Sequence, residues 1–137
     1  MNDQALFDRL HQEVHIGHAL FRDAHYDESV RKAAQRFVNR VQELASRSDL
    51  DGAALMNQAF SNDKPLLVFN ERETRIERDI HDGYRFLAVG LTRRVRNVLT
   101  HHDNYDLSEG EAWEWLAFIS AMHRLLDGVQ QVTEDAA

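Results

Sequence analysis

The stretch Asp27-Glu28-Ser29-Val30-Arg31-Lys32-Ala33-Ala34-Gln35-Arg36-Phe37-Val38-Asn39-Arg40-Val41-Gln42-Glu43-Leu44-Ala45-Ser46-Arg47 decides the fold class. Val30, Ala33, Ala34, Phe37, Val38, Val41, Leu44 and Ala45 recur at three- and four-residue steps, the pattern of a helix with one core-facing stripe. The rest of the chain repeats the pattern, with 6 Gly and 1 Pro in 137 residues to interrupt it. Sparse punctuation and 28% charged residues suit long amphipathic helices. The expectation is an all-α bundle of four to five helices, forming a single domain over residues 1–137.

Upstream, Leu6, Leu10, Val14, Gly17 and Phe21 lie close to one helical stripe with a break near Leu10-His11, and Ala24-His25-Tyr26-Asp27 reads as a turn. Downstream, Asp49 or Asp51 caps a short helix from Gly52 to Phe60, which Ser61-Asn62-Asp63-Lys64-Pro65 stops. Leu66 to Phe69 is a short apolar run that fits a strand, a hairpin arm or a core plug, so a short extended or hairpin segment is expected around residues 64–72. A long helix is expected from about Thr74 to Leu99, with Ile76, Ile80, Gly83, Phe86, Leu87, Gly90, Leu91, Val95 and Val98 on its buried side. Gly83 and Gly90 each weaken it by about 1 kcal/mol against Ala, which points to a close partner helix or a kink. Ser108-Glu109-Gly110-Glu111 fits a capping box opening a last helix, with Trp113, Leu116, Ile119, Met122, Leu125 and Val129 inward. Trp113 and Trp115 cannot share one face.

No cysteine is present, which excludes disulfides and thiolate metal sites. The polar start and the lack of a run of roughly 20 apolar residues lead to the expectation of a soluble, cytoplasmic protein with no membrane partner. A net charge of −7 argues against a general nucleic-acid coating protein. Within that acidic whole, Gly83 to His102 carries Arg85, Arg93, Arg94 and Arg96 and no acid.

Two constellations could carry chemistry. His11, His15 and His18 stand at i, i+4 and i+7, a spacing that would put three imidazoles on one helix face as a zinc or nickel site requires. Packed or surface histidines are the commoner outcome, and a break near His11 would spoil the geometry. The second is Arg93-Arg94-Val95-Arg96-Asn97-Val98-Leu99-Thr100-His101-His102, which sets forked phosphate-binding donors beside groups that exchange protons near neutrality. On an unbroken helix Arg96 and His101, five apart, point about 140° away from each other, so a joint site requires the helix to end or distort before His101.

Arg96-Asn97-Val98-Leu99-Thr100-His101 resembles the signature of the HEPN superfamily, in which an Arg and a polar residue precede a His at a helix end. The wider chain resembles the Ymh-type family of prokaryotic conserved hypothetical proteins, through Leu20-Phe21, His25-Tyr26-Asp27, Val30, Asp51-Gly52, Leu55-Met56, Ala59-Phe60, Gly83, Gly90 and the Arg96 to His101 block, over about Leu10 to Asp127. Val98 stands where that family often has Pro after the Asn, so the sequence does not dictate a helix end there.

The resemblance implies a HEPN-like bundle, often dimeric, and in many members a metal-independent endoribonuclease of toxin-antitoxin or antiphage defence systems, needing no cofactor. The expected reaction is attack of a ribose 2′-hydroxyl on its phosphodiester, leaving a 2′,3′-cyclic phosphate. His101 would move the proton, Arg96 would stabilise the added negative charge and Asn97 would orient phosphate or imidazole, while Arg93, Thr100 and His102 would bind substrate. A homodimer would bring a second Arg96 and His101 into one cleft. An antitoxin or other defence-system protein is the further expected partner besides RNA. The competing reading is a non-catalytic nucleotide- or RNA-binding or protein-interaction subunit.

Overall fold

A computed structural model describes residues 3–102 and 105–132. The elements in chain order are α1 (Asp3–Phe7), a 3-10 turn (Gln12–Gly17), α2 (His18–Arg22), α3 (Tyr26–Ala45), α4 (Gly52–Ala59), β1 (Leu67–Val68), α5 (Arg75–Gly90), a π-helical segment (Leu91–Asn97), α6 (Val98–His101), α7 (Glu109–Leu126) and β2 (Gln130–Gln131). The fold is all-α, as expected. Helix α3 is its axis and buries Val30, Ala33, Ala34, Phe37, Val38 and Val41 completely. α2, α4, α7, the 3-10 turn and the π segment all pack on it.

Local chemistry accounts for the boundaries. α1 ends at Phe7 and the chain resumes as a 3-10 turn, which is the anticipated break around Leu10-His11. Ser46 closes α3 in the left-handed conformation, at φ 55°, with its amide on the Gln42 and Glu43 carbonyls. Thr74 with Glu77 and Ser108 with Glu111 form reciprocal capping boxes that start α5 and α7. Gly17 is required by contact: a Cβ there would meet the Ser29 carbonyl oxygen at 2.6 Å, and the Ser29 hydroxyl donates to the Gly17 carbonyl at 2.7 Å. Within the apolar run at residues 66–69, Leu67–Val68 is extended. Its partner is not a neighbouring hairpin arm but β2, antiparallel, with Leu67 opposite Gln131.

Helix α5 turns the opposite way from the expected one. Ile76, Ile80, Phe86 and Leu87 are exposed, and His81, Tyr84 and Ala88 face the core, followed by Leu91 and Val95. One ring nitrogen of His81 and the Tyr84 hydroxyl reach remote backbone, while His81 Nδ1 is buried without a partner. His81 Nε2 lies 3.1 Å from the Leu67 carbonyl oxygen, and the Tyr84 hydroxyl donates to the Met122 carbonyl at 2.8 Å. The Tyr84 ring packs edge-on against Phe60 and Phe69, at 5.0 and 4.6 Å. An Ile in these places would remove those two side-chain bonds. A Cβ added at Gly83 or Gly90 would meet nothing within 4 Å, so no helix of this chain crosses there. The other consequence anticipated for the glycines, a distortion, does occur directly after Gly90. The Thr92 hydroxyl occupies the Ala88 carbonyl at 2.9 Å, a side-chain bond that competes with the helix ladder and favours the wider turn.

In α7, Leu116, Ile119 and Met122 are buried as expected, but Leu126 takes the core position assigned to Leu125, which is exposed. Trp113 packs on Phe7 and Phe21, at 5.1 and 4.3 Å, while Trp115 lies on another face beside Phe118. Asp51 does cap α4 by position, though its side chain makes no capping bond. No helix among the described residues is long and apolar enough to cross a membrane.

Gly17→Ala should lower stability by about 1 to 3 kcal/mol, because Ser29 backbone cannot yield as a side chain would. Gly110→Ala, where a Cβ meets nothing within 4 Å, should leave the thermal midpoint unchanged or raised. Thermal melts of the two variants beside the wild type check both outcomes.

Candidate functional site

The rod formed by α5, the π segment and α6 runs over residues 75–101 and carries the Arg- and His-bearing residues along its C-terminal part. The π segment places both Val95 and Arg96 inside, while Arg93, Arg94, Thr100, His101 and His102 are exposed and Asn97 is half-buried. The helix does not end before His101. The His102 amide still bonds to the Val98 carbonyl at 3.1 Å, and His102 leaves the helix at φ −124°, ψ 98°. Asp103 and Asn104, which follow, lie outside the described residues.

Arg96 is the organising cation. Its side chain is 10% exposed, and its guanidinium reaches three elements. Nε donates to Asn97 Oδ1 at 2.8 Å, Nη1 to Gln35 Oε1 on α3 at 3.2 Å and to Asp51 Oδ1 at 3.3 Å, and Nη2 to Asp51 Oδ2 at 3.5 Å. The Asp51 carboxylate is free to do this because it leaves the α4 amides uncapped. Gly52 makes the room: at φ +61° it sits in the left-handed region, and a Cβ there would meet Arg96 Nη2 at 3.3 Å. The two Asp51 contacts are longer than the 2.7–2.9 Å usual for a charge-assisted pair, so the guanidinium is held with slack. Asp51 is itself 62% exposed, which opens this pocket to solvent.

The structure thus joins Arg96 and Asn97 and sets His101 outside the pair. The π segment ends at Asn97 and the residues from Val98 to His101 are regular α-helix, and the two side chains diverge, Arg96 inward and His101 outward. Among the described residues the side chains of Arg93, His101 and His102 make no hydrogen bond or ion pair. Arg94 differs, donating to the Tyr105 hydroxyl at 3.2 Å, with its guanidinium 5.8 Å from the Trp115 ring centre.

The chain matches the family model Hypoth_Ymh, described as a protein of unknown function, over residues 8–126. It belongs to that family. No curated protein and no solved structure matches it.

Sequence reasoning missed Gln35 and Asp51 as site residues, although Asp51-Gly52 is among the residues that carry the family resemblance. Their distances in sequence from Arg96 hide the pairing; the one available signal was an Asp-Gly pair ahead of a helix. It also missed a second polar cluster in this Hypoth_Ymh chain, at the far end of α7. Asp127 takes hydrogen bonds from Arg40 and from His11 Nε2, the latter at 2.9 Å. Burial works to raise the Asp127 pKa, but the bonds from Arg40 and His11 outweigh it and hold the carboxylate below its usual range. His123, fully buried, stacks on the His11 ring at 5.4 Å, and its Nδ1 accepts from Arg40 Nη1 at 3.3 Å. Burial, aided by Arg40 and His11, lowers its pKa to about 4.

The three-histidine face does not form. The 3-10 turn breaks the spacing: His11 pairs with Asp127, His15 Nε2 lies 3.3 Å from the Leu10 carbonyl oxygen, and His18 stacks on Phe7 at 4.3 Å. Among the described residues no group of three His, Cys, Asp or Glu converges as a metal site.

Gly52→Ala should cost about 1 to 3 kcal/mol, from backbone strain and displacement of the Arg96 guanidinium. Asp51→Ala, which leaves Arg96 buried without its carboxylate, should cost a similar amount, and chemical denaturation measures both. Stability should also depend on pH. His123 binds its proton near pH 6.5 when unfolded but only near 4 when folded, so stability is full above about pH 6.5 and is lost as pH falls toward 4. Burial lowers the His81 pKa as well, with the same sign. The loss should reach up to about 3 kcal/mol for His123 alone, and melts at pH 7, 6 and 5 would expose its absence as a flat profile.

Proposed function

We propose that this protein acts on RNA at the end of the rod, as a HEPN-like, metal-independent endoribonuclease of a toxin-antitoxin or antiphage defence system. The observation that carries the reading is the exposed group Arg93, Arg94, Thr100, His101 and His102, set on a stretch of twenty residues without an acid in an otherwise acidic chain. Exposed arginines there meet phosphate, and two adjacent imidazoles stand free to exchange protons.

The substrate carries its own nucleophile. One imidazole takes the proton from the ribose 2′-hydroxyl, a bond forms from that oxygen to phosphorus, and the bond to the 5′-oxygen breaks as an acid protonates it. The products are a 2′,3′-cyclic phosphate and a 5′-hydroxyl. His101 is the first proton carrier; His102 of the same chain, or His101 of a second copy, is the other. Arg96 enters by giving up its loose hold on Asp51 to the charge that develops on phosphate, with Asn97 keeping its Nε side in place.

A specific observation favours the second reading, binding without turnover. Arg96 is already neutralised by Asp51, and no carboxylate or carbonyl among the described residues orients the His101 ring. In that case the same patch holds an RNA end or a nucleotide, or engages another protein of a defence system.

Incubation of purified protein with RNA in EDTA, followed by end analysis, separates the two. The nuclease reading expects cyclic-phosphate ends and a loss of at least about 100-fold in His101→Ala. Metal-dependent cutting or 3′-hydroxyl ends would refute the mechanism. RNA bound intact, with affinity that falls in Arg93→Ala and Arg94→Ala and with rising salt, establishes the binding module instead.

A further inference from the structure

The face that α5 turns away from the core is apolar. Ile76 is 72% exposed, Ile80 53%, Phe86 61%, Leu87 46% and, beside them at the end of α7, Leu125 53%. Ile80, Gly83, Tyr84, Leu87, Leu125 and Phe69, with Asp79 at the acidic side, line a shallow groove of about 340 Å³. Together the five exposed side chains offer on the order of 500 Å² of apolar surface, at the upper end of what a monomer shows in one patch. Each copy in a standard interface buries roughly 800 Å², which this face with its polar border approaches.

The spacing of the face selects a helix as its occupant. Ile76, Ile80, Gly83, Leu87 and Gly90 follow one another at steps of four, three, four and three, the seam of a two-helix coiled coil. Gly83 and Gly90 have open space above them, so a second helix can come close.

Charge selects the partner and its direction. Residues 71–82 carry five acids (Glu71, Glu73, Glu77, Asp79, Asp82) against Arg72, Arg75 and Arg78, whereas residues 83–102 carry no acid, and of their four arginines Arg85 pairs with Asp82 and Arg96 with Asp51 while Arg93 and Arg94 stand exposed without a carboxylate among the described residues. A parallel copy would set the two arginine ends side by side, and an antiparallel copy sets each against an acidic half. We propose that a second copy of this chain docks antiparallel on the α5 face, with Ile76 of one copy near Leu87 of the other and Ile80 over Gly83.

This pairing is independent of whether the protein cleaves RNA, and it bears on how it would. The seam is centred about 19 residues before His101, so at 1.5 Å per residue the two His101 rings stand on the order of 50 Å apart. Each cationic end then works alone, and the second proton carrier is His102 of the same chain.

The full chain is tested by light scattering on a sizing column at concentrations up to roughly 100 µM. A dimer is expected, weakened at least about tenfold by Ile80→Asp or Leu87→Asp. Both residues are exposed, so the thermal melt of the dissociated variants should show a folded chain. Because the sequence has no cysteine, direction is read by single substitutions and a short bis-maleimide. Ile76→Cys mixed with Leu87→Cys should cross-link, and neither alone should. A monomeric wild type, a dimer indifferent to Ile80→Asp, or a self-linking Ile76→Cys each overturns the proposal, the last by showing parallel helices.

Discussion

A guanidinium taken almost out of water must have its donors met, and this constraint on Arg96 reaches through the structure. The donors are met by Asn97 beside it, Gln35 on the central helix and Asp51 at the head of α4. Each partner imposes a further condition. Asp51 withholds its carboxylate from the α4 cap, Gly52 adopts a left-handed backbone and lacks a Cβ, and the rod widens into a π turn that carries Arg96 inward next to Val95. Removing one of these conditions leaves a buried charge or a steric conflict, which is why three separated segments have to agree.

The parts of the fold readable from sequence are those decided by neighbours within a turn or two. The α3 stripe, the Thr74 and Ser108 starts and the break after α1 follow from local periodicity and capping. The face of α5 does not, because that helix has two surfaces able to meet a core. Ile76, Ile80 and Leu87 make the more apolar one, but His81, Tyr84 and Thr92 make the one whose polar tips find the Leu67, Met122 and Ala88 carbonyls. Two of those three partners are remote in sequence, and periodicity carries no information about them. The same limit governs the site. Arg96 and Asn97 are adjacent and were legible as a pair, whereas Gln35 and Asp51, 61 and 45 residues from Arg96, became visible only in three dimensions. His11, His15 and His18 illustrate the reverse error, since i, i+4, i+7 spacing means one face only where the backbone is α-helical.

The rod therefore carries two unlike surfaces in sequence order, an apolar seam and then a cationic end, and the acidic remainder of the chain gives each a different reach. At physiological ionic strength the field of a surface charge fades within about 8 Å, so an approaching polyanion is repelled by the bulk of this protein and meets attraction only close to Arg93 and Arg94. Asp51, exposed beside Arg96, lies at the border of that region. A phosphate that displaces it gains a desolvated guanidinium, and one that does not is met by a carboxylate. On the proposed RNA reading, the Arg96 to Asp51 pair would admit a phosphate only when the anion brings enough contacts elsewhere on the patch to replace the carboxylate, a condition that a polymer of phosphates satisfies more easily than a lone ion.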